Sequence, residues 1–172
     1  MVIWPLFLAV VVFAGAGDEV YAQIGALSAI TVFVGLFVSH MYGVIIDRNK
    51  GRELLHYTTI AKAFTHMLRP FVMTPISAVL TNVVNETAAA GYAMAFMRGM
   101  FDLADRTGHR IVYLLMIELA MNLGGVFISL VMFTALAVTT NAQVALGATF
   151  FVAGLTAFLI MTARFPLYRR GV

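Results

Sequence analysis

From Val20 to Ile46 the chain carries no Asp, Glu, Lys or Arg. That run exceeds the roughly 20 apolar residues needed to cross a hydrocarbon core of about 30 Å. It therefore dictates a helix buried in lipid or in a large core. Composition selects lipid: 62% of the residues are hydrophobic, 11% are charged, and mean hydropathy is +0.94. An ordinary soluble domain holds about twice that share of charge. There is no Cys, which excludes a disulfide framework, a thiolate metal site and a thiol redox pair. The net charge of +3 and the pI near 9.5 belong to loops that orient a membrane protein, not to a nucleic-acid surface.

Reading apolar runs against charges and prolines gives an all-α integral membrane protein of six transmembrane helices. The spans are about 2–16, 21–46, 54–73, 75–97, 111–138 and 142–163, with a basic tail at 164–172. The runs are continuous, without the alternation of a barrel strand. Pro75 suits the first turn of a helix, and Pro70 ends or kinks the one before it. Met1 to Gly17 lacks the basic n-region of a cleaved leader and is followed by further spans.

Orientation follows from Lys and Arg. Arg48, Lys50 and Arg52 lie after the second span, Arg98, Arg106 and Arg110 after the fourth, and Arg164, Arg169 and Arg170 after the sixth. If the spans alternate, all of these share one side, while Asp18, Glu19 and Arg69 lie on the other. Both termini are then cytoplasmic and the protein is multi-pass in the plasma membrane. Ala88, Gly91, Ala95 and Gly99 form a small-residue stripe for close helix contact on the fourth span, and Gly124, Gly125 and Ser129 a second on the fifth.

Ionisable groups at membrane depth are costly and mark functional positions. Glu86, with Asn82 a turn before it and Asn85 beside it, lies midway along the fourth span. Glu118 and Asn122 share a face of the fifth. These five residues are candidates for lining a solute or proton path; the competing reading is an interhelical lock. On the third span Thr58, Lys62, His66 and Arg69 recur on one face, with Lys62 near mid-membrane and Glu86 a plausible counter-ion. An anion site and plain structural pairing compete there, and pairing or snorkelling leads. His40 reads as a packing residue. The sequon at Asn85-Glu86-Thr87 falls at membrane depth and is inaccessible to glycosylation.

Between the second and third spans stands Gly43-x-x-x-Asp47-Arg48-x-x-Gly51-Arg52. It resembles the GxxxDRxGRR signature of major facilitator superfamily transporters, with one extra residue before Gly51 and Glu53 in the last basic position. The resemblance implies the second, degenerate copy of the motif, and hence the C-terminal six-helix half of a twelve-helix permease. It implies that Gly43, Asp47, Arg48, Gly51 and Arg52 form a gate between alternating-access states, and that a small solute moves with a coupling proton or ion. It implies too that the fourth and fifth spans line the central cavity while the third is peripheral. The partner would be an N-terminal six-helix half, expected to be missing here, or a second copy of the chain. No cofactor or metal is expected.

Membrane enzymes and an assembly subunit are the rivals. A CDP-alcohol phosphotransferase needs a metal-binding aspartate quartet, but Asp102 and Asp105 lack the upstream Asp-Gly-x-x-Ala-Arg block. A membrane metalloprotease needs HExxH, which is absent. A non-catalytic assembly subunit is compatible with the spans but leaves the Gly43 to Arg52 signature unexplained.

Overall fold

Helix is the only regular structure among the described residues, which in this computed structural model are 3–13 and 17–169. The main helices are α1 (Ile3–Phe7, continuing as a π-helical turn over Leu8–Val12), α2 (Val20–Asp47), α3 (Gly51–Leu68), α4 (Pro75–Thr107), α5 (Arg110–Val138) and α6 (Ala142–Ala157, tightening to 3₁₀ over Phe158–Thr162). A last 3₁₀ turn covers Pro166–Arg169.

Three of these are long and apolar enough to cross a membrane: α2, α5 and the Ala142–Thr162 unit. The other segments read as spans differ for identifiable reasons. The first is helical only over Ile3–Val12, about 15 Å at the α-helical rise, half a hydrocarbon core; residues 14–16 lie outside the described residues. α3 carries Arg52, Glu53 and Lys62, and α4 carries Asn82, Asn85 and Glu86, which dilute their apolar character. α4 also runs ten residues beyond the anticipated end at 97, so the charged stretch after it is mostly helix rather than loop.

Local chemistry sets the boundaries. The Thr74 hydroxyl and Ser77 cap each other's backbone at the start of α4, and Pro75 fills its first turn. Gly108, at φ +72°, ends that helix in the left-handed region. The Asn141 carboxamide accepts from the Gln143 and Val144 amides to open α6.

The helices pack side by side in the order α2, α4, α3, α6, α5, with α1 laid across α6 and its π-helical turn against α4. Within this chain α3 thus sits mid-row, between α4 and α6. Small residues permit this: Gly91 sits against Thr58 and Tyr42, and Gly154 against the Ala63 carbonyl and Met67. Two hydrophobic clusters flank α3. One, at its C-terminal end, joins Trp4, Phe7, Leu8 and Phe13 to Val72, Leu146 and Phe150. The other, at its N-terminal end, joins Leu54, Leu55 and Ala95 to Phe165. The tail read as merely basic supplies that second cluster. α5 buries none of its residues and rests mainly on α6.

Candidate functional site

Between those two clusters the interior is polar. Thr58, Lys62, His66 and Arg69, one face of α3 and its following turn, are all buried. Three threonines satisfy themselves by donating to carbonyls one turn back: Thr58 to Leu54 at 2.6 Å, Thr65 to Ala61 at 2.6 Å and, on α6, Thr149 to Ala145 at 2.9 Å, whereas the buried Thr59 hydroxyl has no partner among the described residues. The cations have less. Arg69 is 1% exposed. Its guanidinium carbon lies 4.4 Å from the centre of the Trp4 ring and 5.5 Å from that of Phe150. Nη1 is 3.4 Å from His66 Nδ1, and Nε has no hydrogen-bond partner. Lys62 is 8% exposed. Among the described residues neither cation has a carboxylate within 4 Å, since the ion pairs there are Arg106–Asp102 and Arg110–Asp105.

α4 faces this stripe with amides and one acid. Asn82 Nδ2 donates to Thr31 Oγ1 at 2.7 Å, tying α4 to α2. Asn85 Nδ2 donates to Glu86 Oε1 at 2.8 Å, while Asn85 Oδ1 is buried without a partner. Glu86 is exposed toward the space beside α4, and its charge is felt at Lys62, Arg69 and Tyr92. That space is an open cavity of about 590 Å³ between α2 and α4, bordered also by Trp4, Pro5 and Leu8. Its polar wall holds Ser28, Thr31, Ser39, Arg69, Asn82 and Glu86; the rest is aliphatic. The volume suits a small organic solute. No family model, curated protein or solved structure shows significant similarity to the chain.

The candidate residues therefore divide. Asn82 and Glu86 line the cavity, Asn85 braces Glu86, and Lys62 lies in the buried stripe behind it. Glu118 and Asn122 are not part of it. They are exposed on α5, where Asn122 Nδ2 donates to the Glu118 carbonyl at 2.9 Å and lies 3.4 Å from Glu118 Oε1. Asn122 instead borders a separate apolar groove of about 730 Å³ between α5 and Ile3. Among the described residues no three His, Asp or Glu side chains converge as a metal site would require.

Trp4 and Thr31 are site residues that sequence reading passed over. Thr31 had a legible signal. Ser28, Thr31, Gly35 and Ser39 recur at three, four and four residues within an otherwise apolar helix, and all four line the cavity. Trp4 had none beyond being the sole tryptophan.

The Gly43 to Arg52 turn folds as a helix cap. Asn49 adopts φ +61°, its amide donates to the Ile46 carbonyl at 3.0 Å, and the Lys50 amide donates to the Ile45 carbonyl at 3.2 Å. This is the paired closure of a left-handed C-cap, a conformation Asn tolerates. The extra residue before Gly51 is thus the one that ends α2 and lets α3 start. Asp47 pairs with neither Arg48 nor Arg52. With Asn49, Arg98 and Tyr168 it borders a small cavity of about 120 Å³. Gly43 has open space around it, whereas Gly51 lies under the Tyr168 ring. The Tyr168 hydroxyl donates to the Ala95 carbonyl at 2.6 Å, clasping the tail to α4.

Proposed function

We propose that this chain is one half of an alternating-access transporter of the major facilitator type, with the cavity between α2 and α4 as the solute path. The observation that carries the reading is the polar wall of Arg69, Asn82 and Glu86 inside a bundle of membrane-type helices. Glu86 lies about 16 Å along α4 from Pro75, near the middle of a hydrocarbon core. Burying such groups in lipid without a task is expensive, and paths for solutes and protons are where they occur. The half would contribute six helical segments, with α1 the short one and α3 and α4 crossing as the polar pair. Basic residues at the α2–α3 turn, along the end of α4 and in the tail favour that side as cytoplasmic, in the plasma membrane.

The α2–α3 turn supports a gate at the cytoplasmic end. Asp47, Arg98 and Tyr168 come from three separate elements and meet at one small cavity. Relative movement of α2 and α4 would separate them. The second half would cover α5, whose Glu118 and Asn122 otherwise face hydrocarbon; an N-terminal six-helix half or a second copy of the chain would serve.

The test is uptake into proteoliposomes of a panel of small solutes, with the chain alone and with its co-expressed partner half. Glu86→Gln should abolish or strongly slow flux of any solute carried, and Asp47→Asn should slow it without altering membrane insertion. Flux no faster than in protein-free vesicles, or wild-type kinetics in both variants, would refute the reading.

A further inference from the structure

The polar stripe and the cavity do not balance in charge. Lys62 and Arg69 are both buried, and among the described residues one carboxylate, Glu86, is near enough for its charge to be felt by them. Glu86 pairs with neither within 4 Å and already accepts from Asn85. Arg69 lies over the Trp4 and Phe150 rings, which attract the guanidinium without neutralising it, and among the described residues its Nε proton has no acceptor. A guanidinium presents its donors in a planar fork that matches a carboxylate. Buried to 1% exposure, Arg69 borders a cavity that also carries Ser28, Thr31, Ser39, Asn82 and Glu86 and is otherwise mostly apolar, with Leu8, Ile24, Leu27, Val32 and Leu36. A compact inorganic anion would leave that wall unused.

We infer that the cavity binds a small organic monocarboxylate, its carboxylate on the Arg69 guanidinium and its apolar body against the α2 wall. The inference rests on the cavity being the solute site of the proposed transporter and names the class of solute. One carboxylate brings the local charge to zero, and Trp4 borders the site at the Arg69 end. Arg69 is then the anchor, while Glu86 acts as a competing anion that weakens retention and eases release.

Trp4 is the sole tryptophan and lies against the anchor, so its emission reports binding directly. The purified full chain in maltoside micelles at pH 7.5 is titrated with butyrate, hexanoate, hexanamide, hexylamine and inorganic phosphate. Hexanoate should give a saturable change and bind roughly tenfold or more tighter than butyrate, from about fourfold per buried methylene. Hexanamide should bind about 10- to 100-fold more weakly, as loss of a charge-assisted bond requires. Arg69→Gln should lose hexanoate by a similar factor, Arg69→Lys should retain part of it, and Glu86→Gln should bind it more tightly.

Hexanamide equal to hexanoate would overturn the inference in favour of an apolar groove. Preference for hexylamine would overturn it in favour of a cation site on Glu86, and preference for phosphate would remove the apolar body. If Arg69→Gln does not fold, the exposed Glu86 decides, since weaker hexanoate binding in Glu86→Gln also overturns the inference. Flux measured separately distinguishes the two readings. Hexanoate bound but not carried defeats transport alone, and another solute carried without hexanoate binding defeats the carboxylate assignment alone.

Discussion

Adding one methyl group to Gly51 should release the C-terminal tail. A Cβ built there falls on the Tyr168 ring, 2.6 Å from Cζ and 2.8 Å from Oη, closer than real atoms approach. The ring must move, and its contacts move with it. Those contacts are the hydroxyl bond to the Ala95 carbonyl and an edge-on contact with Phe165, whose own ring sits at Gly99. A neutral hydrogen bond contributes about 1 kcal/mol, and half-burial of an aromatic ring about 1–2 kcal/mol. Docking of Tyr168 is therefore stabilised by about 2–3 kcal/mol, and losing it raises the undocked population about 30- to 150-fold. Trypsin cleavage after Arg164 reads that population when opening is fast relative to cutting. Gly51→Ala should accelerate it by this factor and leave the helix content unchanged. The decisive control is the same substitution in a Tyr168→Ala background. Without the ring, Ala at the first turn of α3 is neutral or favourable by up to about 1 kcal/mol. The two substitutions should thus be strongly non-additive. Additive effects, or a cleavage rate unmoved by Gly51→Ala, would refute the clasp.

Further outcomes follow from other contacts. Burial, with a further push from Asp102 opposed by Arg98, raises the Tyr168 phenol above its ordinary value of 10.0. The docked state therefore holds that proton more tightly, so its stabilisation is complete below about pH 10 and declines as pH rises through the docked value. Tail cleavage should increase there in wild type and stay flat in Tyr168→Phe. Gly91→Leu should wedge α3 from α4, because even a Cβ at Gly91 meets Thr58 and Tyr42; a loss of about 1–3 kcal/mol is expected in a detergent melt. Glu118→Gln should change the stability of the isolated chain by no more than about 0.5 kcal/mol, since Glu118 is exposed. A drop in complex formation with a co-expressed second half, measured by size-exclusion chromatography, would place that face in the assembly.

The sequence disclosed elements more readily than their arrangement. Pro75 and Asn141 punctuate helices by local chemistry, so the starts of α4 and α6 were readable, whereas the sequence reading ends α4 at 97, ten residues short of its stop before Gly108. The tail was not. Phe165 and Tyr168 look like two aromatic residues in a basic terminus, and only the space left by Gly99 and Gly51, far away in sequence, makes them core. The same holds for Trp4, whose role depends on Arg69 and Phe150 meeting it across three helices. Glu118 and Asn122 share the spacing of Asn82 and Glu86, yet one pair lies on an outer helix and the other beside the cavity. Periodicity identifies a face but cannot say what the face meets.

α3 makes that limit physical. In water a helix with Thr58, Lys62, His66 and Arg69 on one stripe would turn the stripe outward. Here the stripe turns inward and small residues on the neighbours make room for it, as an apolar solvent around a proposed membrane bundle would require. The position of α3 at the centre of the row then has a consequence for mechanism. It touches α4 on one side and α6 on the other, so in the proposed transporter α2 and α4 would part or close around the cavity while Arg69 stays beside Trp4 and Phe150. A stationary anchor with a moving wall is what alternating access requires of a half that keeps hold of its solute. Cross-linking provides a direct check, because the chain has no native Cys. A bridge between Cys residues placed at Thr31 and Asn82 should block flux reversibly on reduction, and a bridge that left flux intact would show that this wall does not move.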